Sequence, residues 1–368
     1  MLSKYKAKHI VICELILLLI LSSILVKQGL NQEASMYTSM KDTEKKFIKW
    51  VSFDVSQRAL DRAYRYDVDT KDSDIHLNWI ELLAYLGARY GGDFSRYKEK
   101  HMTALVDRLI SKKESLDDIK KDMKYYDYYL EAYSAVLGGM VGEYQIEVKD
   151  DEAPGGKRWE DKYGLKAFLP IAKFYPYSHF DDFGVSRSYG FKRKHLGHDM
   201  MGQVGTPVVA AESGYIEALG WNKYGGWRIG IRSFDNKRYY YYAHLRQNFP
   251  YNKSLEVGSV VQAGDVIGYL GRTGYSNKEN ANNIRTPHLH FGMQLIFDES
   301  QKESVNEIWI DCYDLILFLY KNRSETVKDL ETKEYHRVYQ FIDPIAEDYI
   351  KHQIYDYDDK DIGIHIYE

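Results

Sequence analysis

The sequence predicts a multidomain α and β protein: an N-terminal membrane helix, a small all-α bundle, an antiparallel β-sandwich and a short C-terminal α extension. Three patterns indicate this order. They are an apolar run near the N-terminus, helical spacing of apolar residues in the first half, and short strand-like runs between turns in the second. The 368 residues carry a formal net charge of −4 and are 44% hydrophobic, which suits several buried cores. This charge gives no indication of a nucleic-acid partner.

Residues 1–40 are expected to anchor and tether the protein at a membrane. An apolar run of 17 residues extends from Ile10 to Val26, at the short end for a membrane-spanning helix, and three lysines precede it. Positive charge before the run places the N-terminus in the cytoplasm and everything after the run outside. A cleaved signal peptide, which would give a secreted protein, is the alternative. No A-x-A-like cleavage site follows Val26.

Residues 41–147 are expected to form a small helical bundle. Apolar residues recur with helical spacing in two stretches: Phe47, Trp50, Val51 and Val55, then Trp79, Leu82, Leu83 and Leu86. Gly91 is expected to end the second helix, Asp93 to cap the next, and Gly138 to end a later one. The bundle is interpreted as a spacer that can also contact protein regulators. A wall-binding or lysozyme-like module is the alternative, with Glu81 and Glu131 as its only candidate carboxylates.

Residues 148–174 are expected to form a linker, because "KDDEAPGGKRW" is charged and contains Pro-Gly-Gly. Short apolar runs between turns then predict an all-β domain over 175–322. The hairpin turn within this domain is expected at 234–237. Residues 323–368 are interpreted as a C-terminal extension.

Three motifs in the β domain contain histidines. "KHLGHDMMG" includes His195 and Asp199, "YYYYAHLRQ" includes His244, and "TPHLHFG" includes His288 and His290. Residues i and i+2, or i and i+4, of one strand share a face. A His–Asp pair and one further His can bind zinc and leave the fourth position open for water. A single His on a strand is more often structural, so the interpretation depends on the three motifs together.

The order of the motifs resembles the lysostaphin-type (LytM) family of zinc metallopeptidases over about residues 185–320. The matching elements are H-x-G-x-D followed by G-T-P-V, then Y-A-H-L, then V-G-x-x-V-x-A-G-x-x-I-G-x-x-G-x-T-G, and finally H-L-H-F. In this chain they occupy His195–Asp199 with Gly205–Val208, Tyr242–Leu245, Val257–Gly274 and His288–Phe291. The resemblance implies a small antiparallel β-sandwich of the duplicated hybrid motif type, with a groove that binds peptides of bacterial peptidoglycan.

The resemblance also implies the roles of the site residues. His195, Asp199 and His290 would hold one zinc ion per chain, and His244 and His288 would be the two catalytic histidines that do not bind the metal. The implied protein is a membrane-anchored zinc metalloendopeptidase that hydrolyses peptidoglycan peptides through a zinc-activated water. The alternative is a catalytically silent member that binds or scaffolds the wall in division, sporulation or a secretion or conjugation apparatus.

Three features depart from the family pattern. Residues 277–285 are a polar insertion that is expected at the rim of the groove, where it affects substrate preference rather than the metal site. His198 is an additional histidine, and strand alternation turns it away from the two presumptive ligands beside it. Cys312 stands where the family often has Asp-Pro, and it is interpreted as a small buried hydrophobic residue.

Overall fold

The structure is a computed structural model that describes residues 47–188, 192–302, 304 and 306–362. The apolar run at 10–26, expected to span a membrane, lies outside these residues. Within the described ranges, no helix is both long and apolar enough to cross a membrane. Residues from Lys49 onward form one compact unit, so the helices and the β-sandwich are parts of a single body.

Five helices form the first layer: α1 Gln57–Asp69, α2 Trp79–Tyr90, α3 Glu99–Ile110, α4 Leu116–Lys120 and α5 Tyr126–Leu137. The helix ends predicted at Gly91 and Gly138 are confirmed, whereas Asp93 caps a 3₁₀ turn and not α3, which begins at Glu99. Gly91 ends α2 with a left-handed φ of 67°, and the Asp93 carboxylate accepts from the Ser95 amide at the start of a short 3₁₀ turn.

The helix expected from the spacing of Phe47, Trp50, Val51 and Val55 does not form, and this prediction is wrong. Residues 47–56 contain no helix, and α1 begins only at Gln57. Val51, Phe53 and Val55 are all buried, whereas the residues between them are more exposed. This alternation buries one face of an extended segment and overrides the helical spacing.

The segment expected to be a linker folds as a β-hairpin. Strands β1 Val141–Lys149 and β2 Lys157–Leu165 pair antiparallel, and the charged Pro-Gly-Gly sequence forms the turn between them. Gly155 and Gly156 have φ values of 81° and 72°, which favour glycine. The turn was predicted correctly from the sequence. The strands on either side were not predicted, because their exposed faces are rich in charged residues.

The C-terminal segment is not purely helical, contrary to expectation. It contributes the short strands β15 Thr326–Lys328, β16 Tyr335–Arg337 and β17 Phe341–Ile342 before the helix α7 Pro344–Ile362. Strand β17 pairs with β1 and completes a three-stranded sheet. The buried Phe341 packs on Phe168 with 5.6 Å between ring centroids, which ties this sheet to the core of the β domain.

The strands of the β domain are β3 Ser178–His179, β4 Ser186–Ser188, β5 Lys192–Lys194, β6 His198–Met201, β7 Pro207–Val209, β8 Gly214–Asn222, β9 Gly226–Ser233, β10 Arg238–Ala243, β11 Val260–Val261, β12 Val266–Tyr269, β13 His288–Leu295 and β14 Ile308–Trp309. Eight of them form an antiparallel sheet in the order β11-β8-β9-β10-β13-β6-β3, with β14 paired to β13. Helix α6, Tyr313–Leu319, follows β14.

The hairpin turn predicted at 234–237 is confirmed. It joins β9 to β10, and Asn236 has a φ of 60°.

A buried arginine joins the helical layer to the sheet. The Arg238 guanidinium donates to the Glu212 carboxylate over 2.8 Å and to the Ala135 carbonyl, near the end of α5, over 2.7 Å. The Tyr240 hydroxyl donates to the same carboxylate over 2.5 Å. A side chain at Gly139 would collide with Glu212, so this glycine lets the helix end approach the pair.

Candidate active site

Neighbouring strands place two histidines and a carboxylate at one point of the large sheet. Strand β13 pairs with β6, and His290 lies directly opposite Asp199. His195 reaches the same point by a different route from the one expected. It follows β5 and is separated from Asp199 by a turn, rather than lying four residues away along one strand. The predicted proximity is therefore confirmed, but the single-strand explanation is wrong.

Three side-chain atoms converge tightly at this point. His195 Nε2 lies 3.1 Å from Asp199 Oδ1, His290 Nδ1 lies 2.8 Å from the same oxygen, and the two nitrogens are 3.2 Å apart. His195 is 3% exposed and Asp199 is 8% exposed, so both side chains are shielded from solvent. A cluster of this composition is a candidate metal site.

The segment before β5 fixes two of the three groups. The Asp182 carboxylate lies 3.0 Å from His195 Nδ1 and can only accept, so Nδ1 carries the proton. Arg187 donates to Asp199 Oδ2 over 2.8 Å and also pairs with Asp182. Asp182 and Arg187 therefore hold the outer atoms of the cluster, as partners of metal ligands commonly do. Sequence reasoning missed both residues.

The donor set fits a divalent cation. Since His195 Nδ1 carries the proton, its Nε2 presents a lone pair to the carboxylate oxygen of Asp199. Two lone-pair donors at this distance fit a cation that both of them bind. Burial opposes ionisation of Asp199, but the neighbouring imidazoles of His195 and His290 outweigh it and hold the pKa of Asp199 well below its usual range. Two imidazole nitrogens and one carboxylate oxygen are a known zinc ligand set.

Two further imidazoles stand beside this cluster. His288 Nδ1 donates to the Thr286 carbonyl over 2.7 Å, and His244 Nδ1 donates to the Thr273 carbonyl over 2.9 Å. Each ring therefore presents an unprotonated Nε2, and His288 Nε2 lies 3.7 Å from Asp199 Oδ1. The two rings are adjacent, with 4.8 Å between their centroids.

The backbone and surroundings of His244 are unusual. Its φ is 61°, a left-handed conformation that a non-glycine residue rarely adopts, and such strain clusters at functional sites. Burial, followed by the charges of His288 and His290, holds the pKa of His244 well below its ordinary value. The ring is therefore neutral near pH 7.

His198 lies on the opposite face of β6, as strand alternation predicted. It is buried, and its Nε2 lies 2.8 Å from His179 Nδ1, so one hydrogen bond joins the two rings. Burial lowers the pKa of His198 to about 4. His198 is thus a structural histidine outside the cluster. The interpretation of Cys312 is also confirmed, since it is fully buried and its thiol pKa is raised by burial.

The insertion at 277–285 packs against the loop that carries His244. The Asn280 side-chain oxygen accepts a hydrogen bond from the Trp227 indole N–H over 2.9 Å and another from the backbone N–H of Asn248 over 2.8 Å. The Asn283 side-chain amide donates to the Tyr275 carbonyl over 3.1 Å. Tyr275 in turn stacks on His244, with 5.9 Å between ring centroids. The insertion therefore supports an aromatic ring that covers a site histidine.

Arg193 also lies over the Tyr275 ring. Its guanidinium carbon lies 4.8 Å from the centre of the Tyr275 ring. Its Nε is buried and has no hydrogen-bond partner among the described residues. Burial, followed by the charge of Arg187, lowers the pKa of Arg193. Sequence reasoning did not single this residue out.

Comparison with known proteins agrees with this geometry. Residues 193–306 match the protein family described as peptidase family M23. This segment is a peptidase M23 domain. The resemblance to lysostaphin-type metallo-endopeptidases is thereby confirmed. The M23 domain contains all five predicted site residues, whereas Asp182 and Arg187 precede the matched segment.

Relatives of the M23 domain include two named endopeptidases. The chain is 41% identical over 131 residues to an L-Ala–D-Glu endopeptidase of Bacillus subtilis (strain 168), covering 35% of this chain and 38% of the relative. It is 42% identical over 98 residues to lysostaphin of Staphylococcus simulans, covering 26% of this chain and 17% of lysostaphin. The chain thus spans well under half the length of each of these relatives.

A solved structure of the lysostaphin catalytic domain from Staphylococcus simulans is 33% identical to this chain. The match covers 38% of this chain and 92% of that domain, with a TM-score of 0.29.

Proposed function

We propose that this protein is a zinc metalloendopeptidase that hydrolyses peptide bonds in bacterial peptidoglycan. The observation that carries the proposal is the convergence of His195, Asp199 and His290 beside two imidazoles, each with an unprotonated Nε2. A further relative, named peptidoglycan DD-endopeptidase, from Vibrio cholerae, is 32% identical over 99 residues and supports peptidoglycan peptides as the substrate class. His195, Asp199 and His290 would hold one zinc ion. Zinc in such a site acts as a Lewis acid and makes hydroxide available near neutral pH.

His288 is proposed to be the general base. Its Nδ1 proton is committed to the Thr286 carbonyl, so its Nε2 is the atom that can accept a proton from the attacking water. Its side chain is 12% exposed, which allows contact with a bound peptide. After protonation, the same nitrogen can donate to the amine that leaves when the peptide bond breaks.

His244 is proposed to stabilise the oxyanion that forms on the peptide carbonyl. With Nδ1 donating to Thr273, its Nε2 can donate only when the ring is protonated. Burial keeps the free ring neutral, and negative charge on the oxyanion favours the imidazolium form. The left-handed backbone at His244 holds the ring against His288 before the substrate binds.

We also propose that the enzyme is held at the bacterial cell membrane by residues 10–26, with the M23 domain outside the cytoplasm. The lysines before this run and the extracytoplasmic location of peptidoglycan support the proposal. The helical residues, 57–137, would then lie between the membrane anchor and the M23 domain along the chain. Their exposed surface is available to protein regulators.

Digestion of purified sacculi tests the activity. Full-length protein in detergent, loaded with zinc, is incubated with sacculi, and the released peptides are analysed by mass spectrometry. We expect new amino and carboxyl termini within the stem peptides or the cross-links. The matched control is His195→Ala, which lacks one ligand. Equal amounts of new termini from both proteins, or none from either, would contradict the proposal and favour a wall-binding role.

A further inference from the structure

Two arginines lie just before the metal ligands, and their surroundings differ. Arg187 is neutralised, because it donates to both Asp199 and Asp182. Arg193 forms no hydrogen bond or ion pair through its side chain with any residue that the structure describes, and its Nε is shielded from solvent. An N–H group that is buried without an acceptor is costly, and a ligand that brings an acceptor oxygen removes that cost.

Arg193 is held beside the candidate site through Tyr275. It lies over the Tyr275 ring, and Tyr275 stacks on His244. The Tyr275 backbone is fixed on both sides: its amide donates to the Tyr224 carbonyl over 3.3 Å, and its carbonyl accepts from Asn283. Tyr275 also has a left-handed φ of 49°. Because Tyr275 is fixed, its ring holds the Arg193 guanidinium in place before a ligand binds. The N–H groups of Arg193 are left to bind that ligand.

We propose that Arg193 binds a carboxylate of the peptide substrate and thereby selects acidic peptides over uncharged ones. This inference rests on the proposed peptidase function, which it makes more specific. The planar guanidinium matches a carboxylate through paired hydrogen bonds, and its Nε is already shielded from water. An uncharged peptide offers no such group. The insertion at 277–285 acts here as a positioning element, because it fixes Tyr275 and through it Arg193.

The test compares two peptides that differ in one group. The probes are L-Ala-γ-D-Glu-L-Lys-D-Ala, which has an α-carboxylate on the second residue, and its D-isoglutamine counterpart, which has a carboxamide there. Binding is measured by calorimetry with the zinc-loaded, full-length His288→Ala protein, which is expected not to cleave them. We expect the acidic peptide to bind about tenfold more tightly than the amide.

Variants of Arg193 test whether this residue causes the preference for the acidic peptide. Arg193→Gln in the same background should bind both peptides equally while it retains one zinc per chain, and Arg193→Lys should retain part of the preference. Lys194→Gln is the matched control: it removes the same charge from an exposed neighbour and should keep the full preference. The proposal is overturned if the acidic peptide is not preferred, if neither peptide binds, or if Arg193→Gln leaves the preference intact.

Hydrolysis by the protein with His288 intact separates this inference from the proposed function. An Arg193-dependent preference in binding, together with no cleavage of either peptide or of sacculi, would contradict the peptidase and leave the carboxylate site standing. Cleavage of both peptides at the same rate, with no effect of Arg193→Gln on KM, would support the peptidase and overturn the carboxylate site.

Discussion

The Asp182 carboxylate accepts the Nδ1 proton of His195, with 3.0 Å between Oδ1 and Nδ1. Asp182 precedes the segment that matches the M23 family, so a residue outside the matched segment sets the tautomer of a metal ligand. The same carboxylate pairs with Arg187, which holds the outer oxygen of Asp199. One short segment therefore orients two of the three ligands.

Removing this support should weaken metal binding without removing a ligand. We expect Asp182→Ala to lower the zinc affinity by about 10–100-fold, because His195 loses the partner that fixes its ring. Competition with a chromophoric zinc chelator measures the change. Asp181→Ala is the control, because Asp181 is an exposed neighbour with the same charge. If both variants bind zinc equally well, Asp182 does not support the site.

The five site residues should divide into two classes. His195→Ala, Asp199→Ala and His290→Ala each remove one of three protein ligands, so each should retain less than the one zinc per chain expected of the unmodified protein. His244→Ala and His288→Ala should retain the metal and lose activity by about 10²–10⁴-fold. Metal analysis and single-turnover hydrolysis on the same samples provide the two measurements.

The classification fails in either of two ways. Full zinc occupancy in all three ligand variants would show that the ion binds elsewhere. Hydrolysis at the unmodified rate by either of the other two variants would remove that histidine from the mechanism.

The sequence predicted the ligands better than it predicted their support. His195, Asp199 and His290 were found because they belong to short motifs whose order is itself informative. Asp182 lies just before a turn and Arg187 lies in the short strand β4, and their contacts depend on how the fold brings both residues to the ligands. No periodicity marks such residues before the fold is known.

The same distinction applies to the fold. The end of α2 at Gly91 and the hairpin turn at 234–237 depend on local chemistry and were predicted correctly. Val51, Phe53 and Val55 fit both a helix and an extended strand, and only their burial in the tertiary structure selects the extended form. Strand β17 could not be predicted either, because its partner β1 lies almost 200 residues earlier in the chain.

An NMR titration of His244 should report how far Tyr275 shields this ring. The pKa of His244 is lowered chiefly by burial, so the ring stays neutral as the pH falls through 6.5 and takes up a proton only at lower pH. Tyr275→Asn removes the stacked ring and keeps a residue that tolerates a left-handed backbone. We therefore expect His244 to take up its proton at higher pH in this variant than in the unmodified protein.

Zinc content must be measured at each pH, so that loss of the ion is distinguished from protonation of His244. Titration of His244 at the same pH in both proteins, with equal zinc content, would show that Tyr275 does not shield this ring.

The Arg238–Glu212 pair should dominate the junction between helices and sheet. Arg238→Met leaves the Glu212 carboxylate buried without its cation and frees the carbonyl at the end of α5. We expect a loss of about 3–5 kcal/mol in the free energy of unfolding, measured in urea. The double variant Arg238→Met/Glu212→Leu removes both charges and should lose less. A double variant that is less stable than Arg238→Met would contradict this account of the pair.

The last prediction concerns the N-terminal run, whose lysines and missing cleavage site favour an uncleaved anchor. We expect the full-length protein to remain in the membrane fraction, with residues beyond 30 accessible to a protease added from outside. A variant with lysines in place of Leu18 and Leu19 serves as the control and should leave the membrane, because charge at the centre of a span is costly. N-terminal sequencing then separates the two topologies. A mature chain that begins after Val26 and is found in the medium would establish a secreted enzyme, and the site described above would be unaffected.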